Sequence, residues 1–253
     1  MRIPRFKIDT FEQPTIRLID QEARHAVRVL RLGVGAAVRL FDGCGYEAEG
    51  RIIQVARDEV VVELLDVPAR MPPPLSRLVL AVASPKGERA DWLVEKAAEL
   101  GVWQLVWLRT ERGQVEPGPG RLARWRRKAV QASKQAGLAQ VTEVVGVSDL
   151  ATVLALVPGS SRFFGSTRPT ERSLLDELRA ALPACTPFPS THSPIQIIFI
   201  VGPEGGLTDA EHDLLDREKC RAVSLGRSIL RVETAAIAAA SIWSCWDATL
   251  RPE

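Results

Sequence analysis

Apolar runs alternate with helical segments from residue 77 onward, and this alternation limits the possible folds more than any other feature of the sequence. The apolar runs include RLVLAVAS, VWQLVWLRT and IQIIFIVG, and segments such as ERADWLVEKAAELG and GRLARWRRKAVQASKQAG separate them. Nearly continuous apolar strands followed by helices are typical of a parallel sheet covered on both faces. The sequence therefore predicts an α/β domain over residues 77–253.

The first part of the chain has a different pattern. Short β-branched segments and a turn signal at Asp42-Gly43 predict a small barrel-like β domain over residues 1–70, interrupted by one helix between Asp20 and Gly33. The segment from Pro68 to Ser76 contains several prolines, which lack the amide hydrogen that a strand or helix needs. The linker is therefore placed at residues 71–76.

Composition and charge narrow the possible partners only slightly. The formal net charge is +2, so no overall field identifies a polyanion as the partner. The four cysteines form no CxxC pair and the three histidines lie in no metal-ligand spacing, from which we expect reduced thiols and no metal. Since the N-terminus lacks a signal-like apolar region and no apolar run could span a bilayer, we expect a cytoplasmic protein with no membrane partner.

A glycine-rich turn with a glutamate at its centre follows the strand IQIIFIV. Ligands of open α/β sheets bind beyond the carboxyl ends of the strands, so this turn, GPEGGL, lies where a site is expected. It lacks the lysine of a phosphate-binding loop and the GxGxxG of a dinucleotide loop, and Glu204 would repel a phosphate. Thr208 and Glu211 form a predicted capping box for the next helix. The turn suits a nucleoside edge or a cationic ligand, and a plain strand-to-helix turn is the alternative.

A second turn of similar design lies near the C-terminus, between the strand AVSLG and the helix that begins VETAAIAAAS. The turn contains Arg227 and Arg231, and the small residues of the helix allow another backbone to approach closely. A buried central helix is the alternative interpretation, and it does not exclude a site in the turn.

Together, VGPEGG and LGRSILRVETAAIAA resemble the SPOUT class of methyltransferases, and within it the RsmE type that methylates N3 of a uridine in 16S ribosomal RNA. RVLRLGVGAAVRLFDGCG, VEKAAELGV, TERGQV and RWRRKAVQASKQAG are also similar to that family. The resemblance implies a PUA-like N-terminal barrel, a C-terminal domain tied in a trefoil knot, and a homodimer that binds S-adenosylmethionine. It also implies a role in rRNA processing during ribosome biogenesis.

The resemblance further implies a cofactor pocket built from the two turns and the start of the last helix. Its residues would be Gly202, Glu204, Gly205, Gly206, Leu225, Gly226, Ile229, Leu230, Arg231, Thr234 and Ala235. Because uridine N3 carries a proton at neutral pH, the reaction needs a base near N3 and positive charge near O2 or O4. Arg231 is the candidate for that charge, and an ion pair with Glu204 or Glu233 is the alternative. Glu204 is the second catalytic candidate, to orient the cofactor or to accept a proton.

Basic residues with no acid among them fill the run GRLARWRRKAVQASKQ, which favours phosphate contact over a solvated helix face. The candidate RNA contacts in this run are Arg124, Arg126, Arg127 and Lys128. A second group in the N-terminal domain, based mainly on the resemblance, consists of Arg2, Arg5, Arg28 and Arg31.

The expected partner is 16S rRNA within the 30S subunit. The chain departs from the family pattern at Gln131, Leu138 and Thr142. Two alternatives stay open: a related knotted methyltransferase that acts on another RNA such as a tRNA, and an RNA-binding module that kept the fold and lost activity.

Overall fold

The computed structural model describes residues 3–113, 117–168, 170, 172–181 and 194–250. The chain divides into two compact units, Met1–Pro73 with Ser133–Val141, and Pro74–Ala132 with Thr142–Glu253. Nothing in the sequence pattern indicated that residues 133–141 belong with the first unit. Each unit is described separately below.

The first unit is a curled sheet of six short strands. In the sheet the order is β1-β3-β4-β5-β2, and β6 pairs with β4. Neighbouring strands are antiparallel except for the parallel pair β1 and β3. The sheet confirms the predicted small β domain. The strands are β1 (Arg5–Lys7), β2 (Thr15–Ile19), β3 (Ala37–Phe41), β4 (Tyr46–Val55), β5 (Glu59–Leu64) and β6 (Ala69–Arg70).

Alternating side chains of these strands form one apolar core. Ile16 and Leu18 of β2 are buried while their neighbours in the strand are exposed, as the twofold repeat of a strand requires. They pack with Leu40 of β3 and Val62 of β5.

The helix predicted between Asp20 and Gly33 is shorter than expected. A regular α-helix, α1, covers Asp20–Arg24 and continues as a wider π-helical segment over His25–Val29. Arg31 then adopts a left-handed backbone conformation with φ of 53°. Because that conformation cannot continue a right-handed helix, the helix ends before Gly33 is reached.

The second unit is a parallel six-stranded sheet with helices between its strands. The strand order is β12-β10-β11-β7-β8-β9, and every neighbouring pair is parallel. This arrangement confirms the predicted α/β domain. Its strands are β7 (Ser76–Ala83), β8 (Gln104–Arg109), β9 (Glu143–Asp149), β10 (Ser161–Gly165), β11 (Ile195–Val201) and β12 (Arg221–Val223). Its helices are α2 (Arg89–Glu99), α3 (Pro119–Ala136), α4 (Leu150–Ala155), α5 (Leu174–Ala180), α6 (Asp209–Arg217) and α7 (Val232–Thr249).

The two central strands, β7 and β11, are buried along most of their length, as continuous apolar runs predict. Val79 and Ala81 of β7 pack in one core cluster with Ile198 and Ile200 of β11. Within the described ranges, no helix is both long enough and apolar enough to cross a membrane.

Helix α4 did not emerge from the sequence pattern. Asp149 caps its N-terminus, and one of its carboxylate oxygens accepts the amide hydrogen of Thr152 at 2.8 Å. This hydrogen bond lowers the pKa of Asp149 below its usual value. An aspartate followed by LATVLA is a start signal, but so short an apolar segment has no readable helical period.

A largely buried ion pair joins α1 to the end of α3, which belongs to the first unit. The ammonium group of Lys134 binds the carboxylate of Glu22 at 2.7 Å and lies 5.2 Å from the ring centre of Phe6. Removing one member of such a pair leaves an unpaired buried charge, so the pair fixes this part of the unit.

Strand β10 lies between β12 and β11, so three carboxyl ends that are remote in sequence meet at one edge of the sheet. This edge positions the site described below. The trefoil knot implied by the resemblance stays a prediction.

Candidate cofactor site

A cavity of about 1040 Å³ lies at the carboxyl ends of β10, β11 and β12. The segments that follow these three strands form its walls, together with the start of α7. Its volume lies at the upper end of the range typical of small-molecule sites. The cavity is therefore large enough for a ligand of nucleoside size.

Both predicted turns contribute to this one cavity. The predicted residues that line it are Gly202, Glu204, Gly205, Gly206, Leu225, Gly226, Ile229, Leu230, Arg231 and Ala235. Thr234 is exposed and is not among the lining residues. Consecutive residues of a helix point about 100° apart, so Ala235 can face the cavity while Thr234 does not.

Part of the cavity wall consists of main chain, because several of its residues are glycines. Gly206 and Gly226 have φ of 71° and 152°, values that residues with a Cβ rarely adopt. At Gly202 an added Cβ would lie 3.0 Å from Cγ of Leu207. Gly202 is therefore needed for close packing against Leu207. At Gly206 and Gly226 an added Cβ would meet no atom within 4 Å, so the main chain at these two positions is open to a ligand.

Arg89 at the start of α2 also lines the cavity and was not predicted. Its Nη1 lies 3.5 Å from Oε1 of Glu204, and its Nε lies 3.6 Å from Oε1 of Glu233. Arg89 therefore engages both carboxylates that were the alternative partners of Arg231. Within the described residues, Arg231 has no ion-pair partner.

The mouth of the cavity is basic. Arg227 and Arg231 are exposed and have no ion-pair partner in the part of the chain that the structure describes, and Arg168 pairs with Asp209 at 3.4 Å. Between the two unpaired arginines, the side chain of Ile229 is 82% exposed. This mouth is suited to a polyanion.

The loop after β10 supplies lining residues that the sequence analysis missed, among them Ser166 and Thr167. The sequence signal for this loop was a polar Gly-Ser-Thr turn after an apolar strand. The signal was insufficient because the sequence does not give the position of that strand in the sheet. His212 of α6 was missed as well. Its ring packs edge-on against Phe164, with 5.7 Å between the ring centres.

A loop outside the cavity holds the glycine turn. Nη1 of Arg112, after β8, donates a hydrogen bond to the carbonyl of Gly205 at 3.1 Å, and a longer one to that of Leu207 at 3.5 Å. The predicted capping box of α6 is also present: Oε2 of Glu211 accepts from the Thr208 amide at 2.7 Å.

Carboxylates from α2 compensate two of the four candidate RNA contacts on α3. Arg124 pairs with Asp91, Lys128 lies 3.2 Å from Glu95, and Nε of Arg126 donates to the carbonyl of Val144 at 3.1 Å. The hydrogen bonds from Lys96 and Lys128 lower the pKa of Glu95. Arg127 is exposed and has no partner among the described residues.

The candidate RNA contacts of the first unit divide into buried and exposed residues. The side chain of Arg5 is only 8% exposed, binds Glu47 at 2.9 Å and lies over the ring of Phe41. This burial favours a structural role for Arg5. Arg28 and Arg31 are exposed. Arg2 lies outside the described residues.

The three departures from the family pattern occupy different environments. Gln131 is exposed, Leu138 is half-buried, and Thr142 is buried and donates its hydroxyl hydrogen to the carbonyl of Val102 at 2.6 Å. In the described part of the chain, no group of three or more histidine, cysteine, aspartate or glutamate side chains could hold a metal ion.

Known proteins resemble this chain over nearly its whole length. Ribosomal RNA small subunit methyltransferase E of Bacillus subtilis is 27% identical over 251 residues, covering 95% of this chain and 93% of that protein. Its counterpart in Rickettsia conorii is 29% identical, covering 90% and 88%. The crystal structure of the Neisseria gonorrhoeae enzyme of the same name, bound to S-adenosylmethionine, has a TM-score of 0.80 at 28% identity and covers 97% of this chain and 98% of that one.

Two family descriptions match consecutive parts of the sequence. Residues 18–65 match an RNA methyltransferase PUA domain, and residues 71–244 match an RNA methyltransferase domain. Since the second match alone spans most of the sequence, the chain belongs to the RNA methyltransferase family whose catalytic domain follows a PUA domain.

Proposed function

We propose that the chain is an S-adenosylmethionine-dependent methyltransferase that acts on N3 of a uridine in 16S ribosomal RNA. The main support is that two glycine-containing turns, which follow different strands, line one cavity at the carboxyl ends of three neighbouring strands. The names of the relatives support methylation of small-subunit ribosomal RNA, and the ligand of the Neisseria structure supports the cofactor. The choice of uridine N3 rests on the family resemblance of the two turns.

The residues of the cavity fit this cofactor. Main chain at Gly206 and Gly226 can approach an adenine edge closely, because no Cβ intervenes and the space is open. Leu225 and Leu230 supply apolar surface, and the carboxylate of Glu204 lies in the wall for a cationic ligand. When bound, S-adenosylmethionine supplies an electrophilic methyl group on a sulfonium.

Arg231 is proposed to stabilise negative charge on the uracil. Deprotonation of N3 leaves that charge on O2 and O4, which a nearby guanidinium can stabilise by donating hydrogen bonds to these oxygens. Arg231 lines the cavity and has no ion-pair partner in the described part of the chain, so its donors are available.

Glu204 is proposed to orient the cofactor. Its ion pair with Arg89 holds the carboxylate at the cavity wall, although its side chain is 66% exposed and the pair adds little stability. Because the carboxylate belongs to the turn that lines the cavity, we propose that it orients the cationic cofactor.

In the second unit, the basic mouth of the cavity and Arg127 on α3 are proposed to contact the RNA. In the first unit, considered by itself, Arg28 and Arg31 are the proposed RNA contacts. N3 lies on the Watson–Crick edge, so the target uridine must be unpaired or turned out of its helix. An assembled 30S subunit can present such a nucleotide, and we propose it as the substrate, in the cytoplasm.

A homodimer is proposed from the family resemblance and from α7. Small residues of that helix that do not line the cavity, including Ala238 and Ser241, are only half-buried within one chain. A second copy could therefore pack closely there. Light scattering at working concentration tests this state, and a monomeric mass would rule it out.

Calorimetry and methyl-transfer assays test the function. We expect micromolar binding of S-adenosylmethionine, and transfer of a labelled methyl group to 30S subunits that lack the modification. Mass spectrometry of the digested RNA should then show the methyl group on N3 of uridine. Transfer to tRNA instead would favour the second methyltransferase hypothesis, and absence of cofactor binding would favour an inactive RNA-binding module.

A further inference from the structure

The glycine turn after β11 is held by a loop that does not line the cavity. β8 is not a neighbour of β11 in the sheet, because β7 lies between them. The loop after β8 nevertheless reaches the turn, where Arg112 donates to the carbonyl oxygens of Gly205 and Leu207 at 3.1 and 3.5 Å.

The contact to Gly205 fixes a part of the turn that has no side chain of its own. Gly205 and Gly206 are consecutive, and Gly206 has φ of 71°. Since a peptide group is planar, holding the carbonyl of Gly205 also orients the amide of Gly206. That amide donates to the carbonyl of Pro203 at 2.9 Å, which closes the turn.

A second contact holds the other end of the turn. Oε2 of Glu211 accepts from the amide of Thr208 within the capping box, and Oε1 of the same carboxylate accepts from the amide of Glu111 at 3.0 Å. The adjacent residues Glu111 and Arg112 thus hold the end and the middle of the turn from one loop.

We propose that Arg112 is a positioning residue for the cofactor turn. Its guanidinium, outside the cavity, holds the Gly205–Gly206 peptide in the orientation that presents the main chain to the ligand. Both hydrogen bonds leave the same nitrogen, Nη1, whose two hydrogens can serve two carbonyl oxygens. The planar guanidinium fixes the direction of these hydrogens, whereas the ammonium of a lysine rotates freely on a flexible stem. The identity of the ligand rests on the proposed function, but the effect on the turn does not.

Three variants test this role: Arg112→Ala, Arg112→Lys and the matched control Arg179→Ala. Arg179 is an exposed arginine on α5 that pairs with Asp176 and is not among the cavity-lining residues. Hydrogen exchange of a peptide covering residues 202–207 reports the turn without any ligand. Calorimetry with S-adenosylmethionine reports the site, and thermal unfolding reports global stability.

We expect Arg112→Ala to speed exchange in the turn and to raise the Kd for S-adenosylmethionine about tenfold, the loss of one charge-assisted hydrogen bond. Arg112→Lys should lie between Arg112→Ala and the wild type. The control should change neither quantity, and the melting temperature should fall little in all three.

The proposal would be overturned if the Arg112→Ala variant showed the same rate of hydrogen exchange in residues 202–207 as the wild type. Faster exchange with an unchanged Kd would also overturn it, because the turn would then not need fixing. If the wild-type chain bound no S-adenosylmethionine, the proposed function would fail, and the exchange data would still decide whether Arg112 holds the turn.

Discussion

The guanidinium of Arg124 on α3 forms an ion pair with the carboxylate of Asp91 on α2, and the indole of Trp125 donates to the same carboxylate at 3.0 Å. The basic run of α3 is therefore less basic than its sequence suggests. A phosphate would have to compete with Asp91 for Arg124. It would meet no such competitor at Arg127, which is exposed and unpaired within the described residues.

Replacement of Arg127 by alanine should weaken binding of 16S rRNA severalfold and lower the slope of log K against log salt by about one. Arg124→Ala, the matched control on the same helix, should have a smaller effect because its charge is already compensated. Fluorescence anisotropy across a salt series measures both, with S-adenosylmethionine affinity unchanged. Equal effects of the two variants would contradict the assignment.

Arg231→Ala should lower the rate of methyl transfer at saturating cofactor and RNA by about 10²-fold, a loss typical of removing one donor to a developing oxyanion. Single-turnover assays measure the chemical step, and calorimetry shows whether cofactor binding persists. Arg231→Lys should retain part of the rate, because the positive charge stays near the uracil. A rate equal to that of the wild type would exclude the proposed role.

Gly206→Ala should destabilise the second unit by about 1 kcal/mol, because a residue with a Cβ must adopt a left-handed backbone conformation there. An added Cβ would meet no atom within 4 Å, so the cost is conformational and not steric. The variant should also bind S-adenosylmethionine more weakly.

Gly120→Ala, in the first turn of α3, is a suitable control for this prediction. Its Cβ would also meet nothing within 4 Å, and its backbone is helical, so alanine should be neutral or stabilising. Thermal unfolding and calorimetry compare the two. A Gly206→Ala variant as stable as the wild type would show that the turn tolerates a side chain.

The stability of the first unit should depend on pH through His25. Burial, and then the nearby charge of Lys134, lower the pKa of His25 below its ordinary value of 6.5. Below pH 6.5 the unfolded chain therefore binds more protons than the folded one, and stability falls as the pH decreases; above pH 6.5 this contribution is fully present. Thermal unfolding across this range should show a flatter profile for His25→Gln, and parallel profiles would contradict the prediction.

Local patterns were sufficient to predict much of the fold. Continuous apolar runs indicated the buried strands, and Thr208 with Glu211 indicated the start of α6. Features that depend on contacts between residues far apart in the sequence could not be predicted from it. They include the position of β10 at the cavity, the carboxylates that α2 supplies to α3, and the burial of Arg5 against Glu47. In each case the partner is far away in sequence, so no spacing rule connects the two.

The strand order has a consequence for assembly of the protein. The first and last residues of the central strand pair, Ser76 with Ile195 and Val82 with Val201, come from distant parts of the chain. Closing so large a loop is slow, and pairings of this kind form late in folding. The cavity that binds the ligand should thus form late in refolding, after the local hairpins β3-β4 and β4-β5 of the first unit.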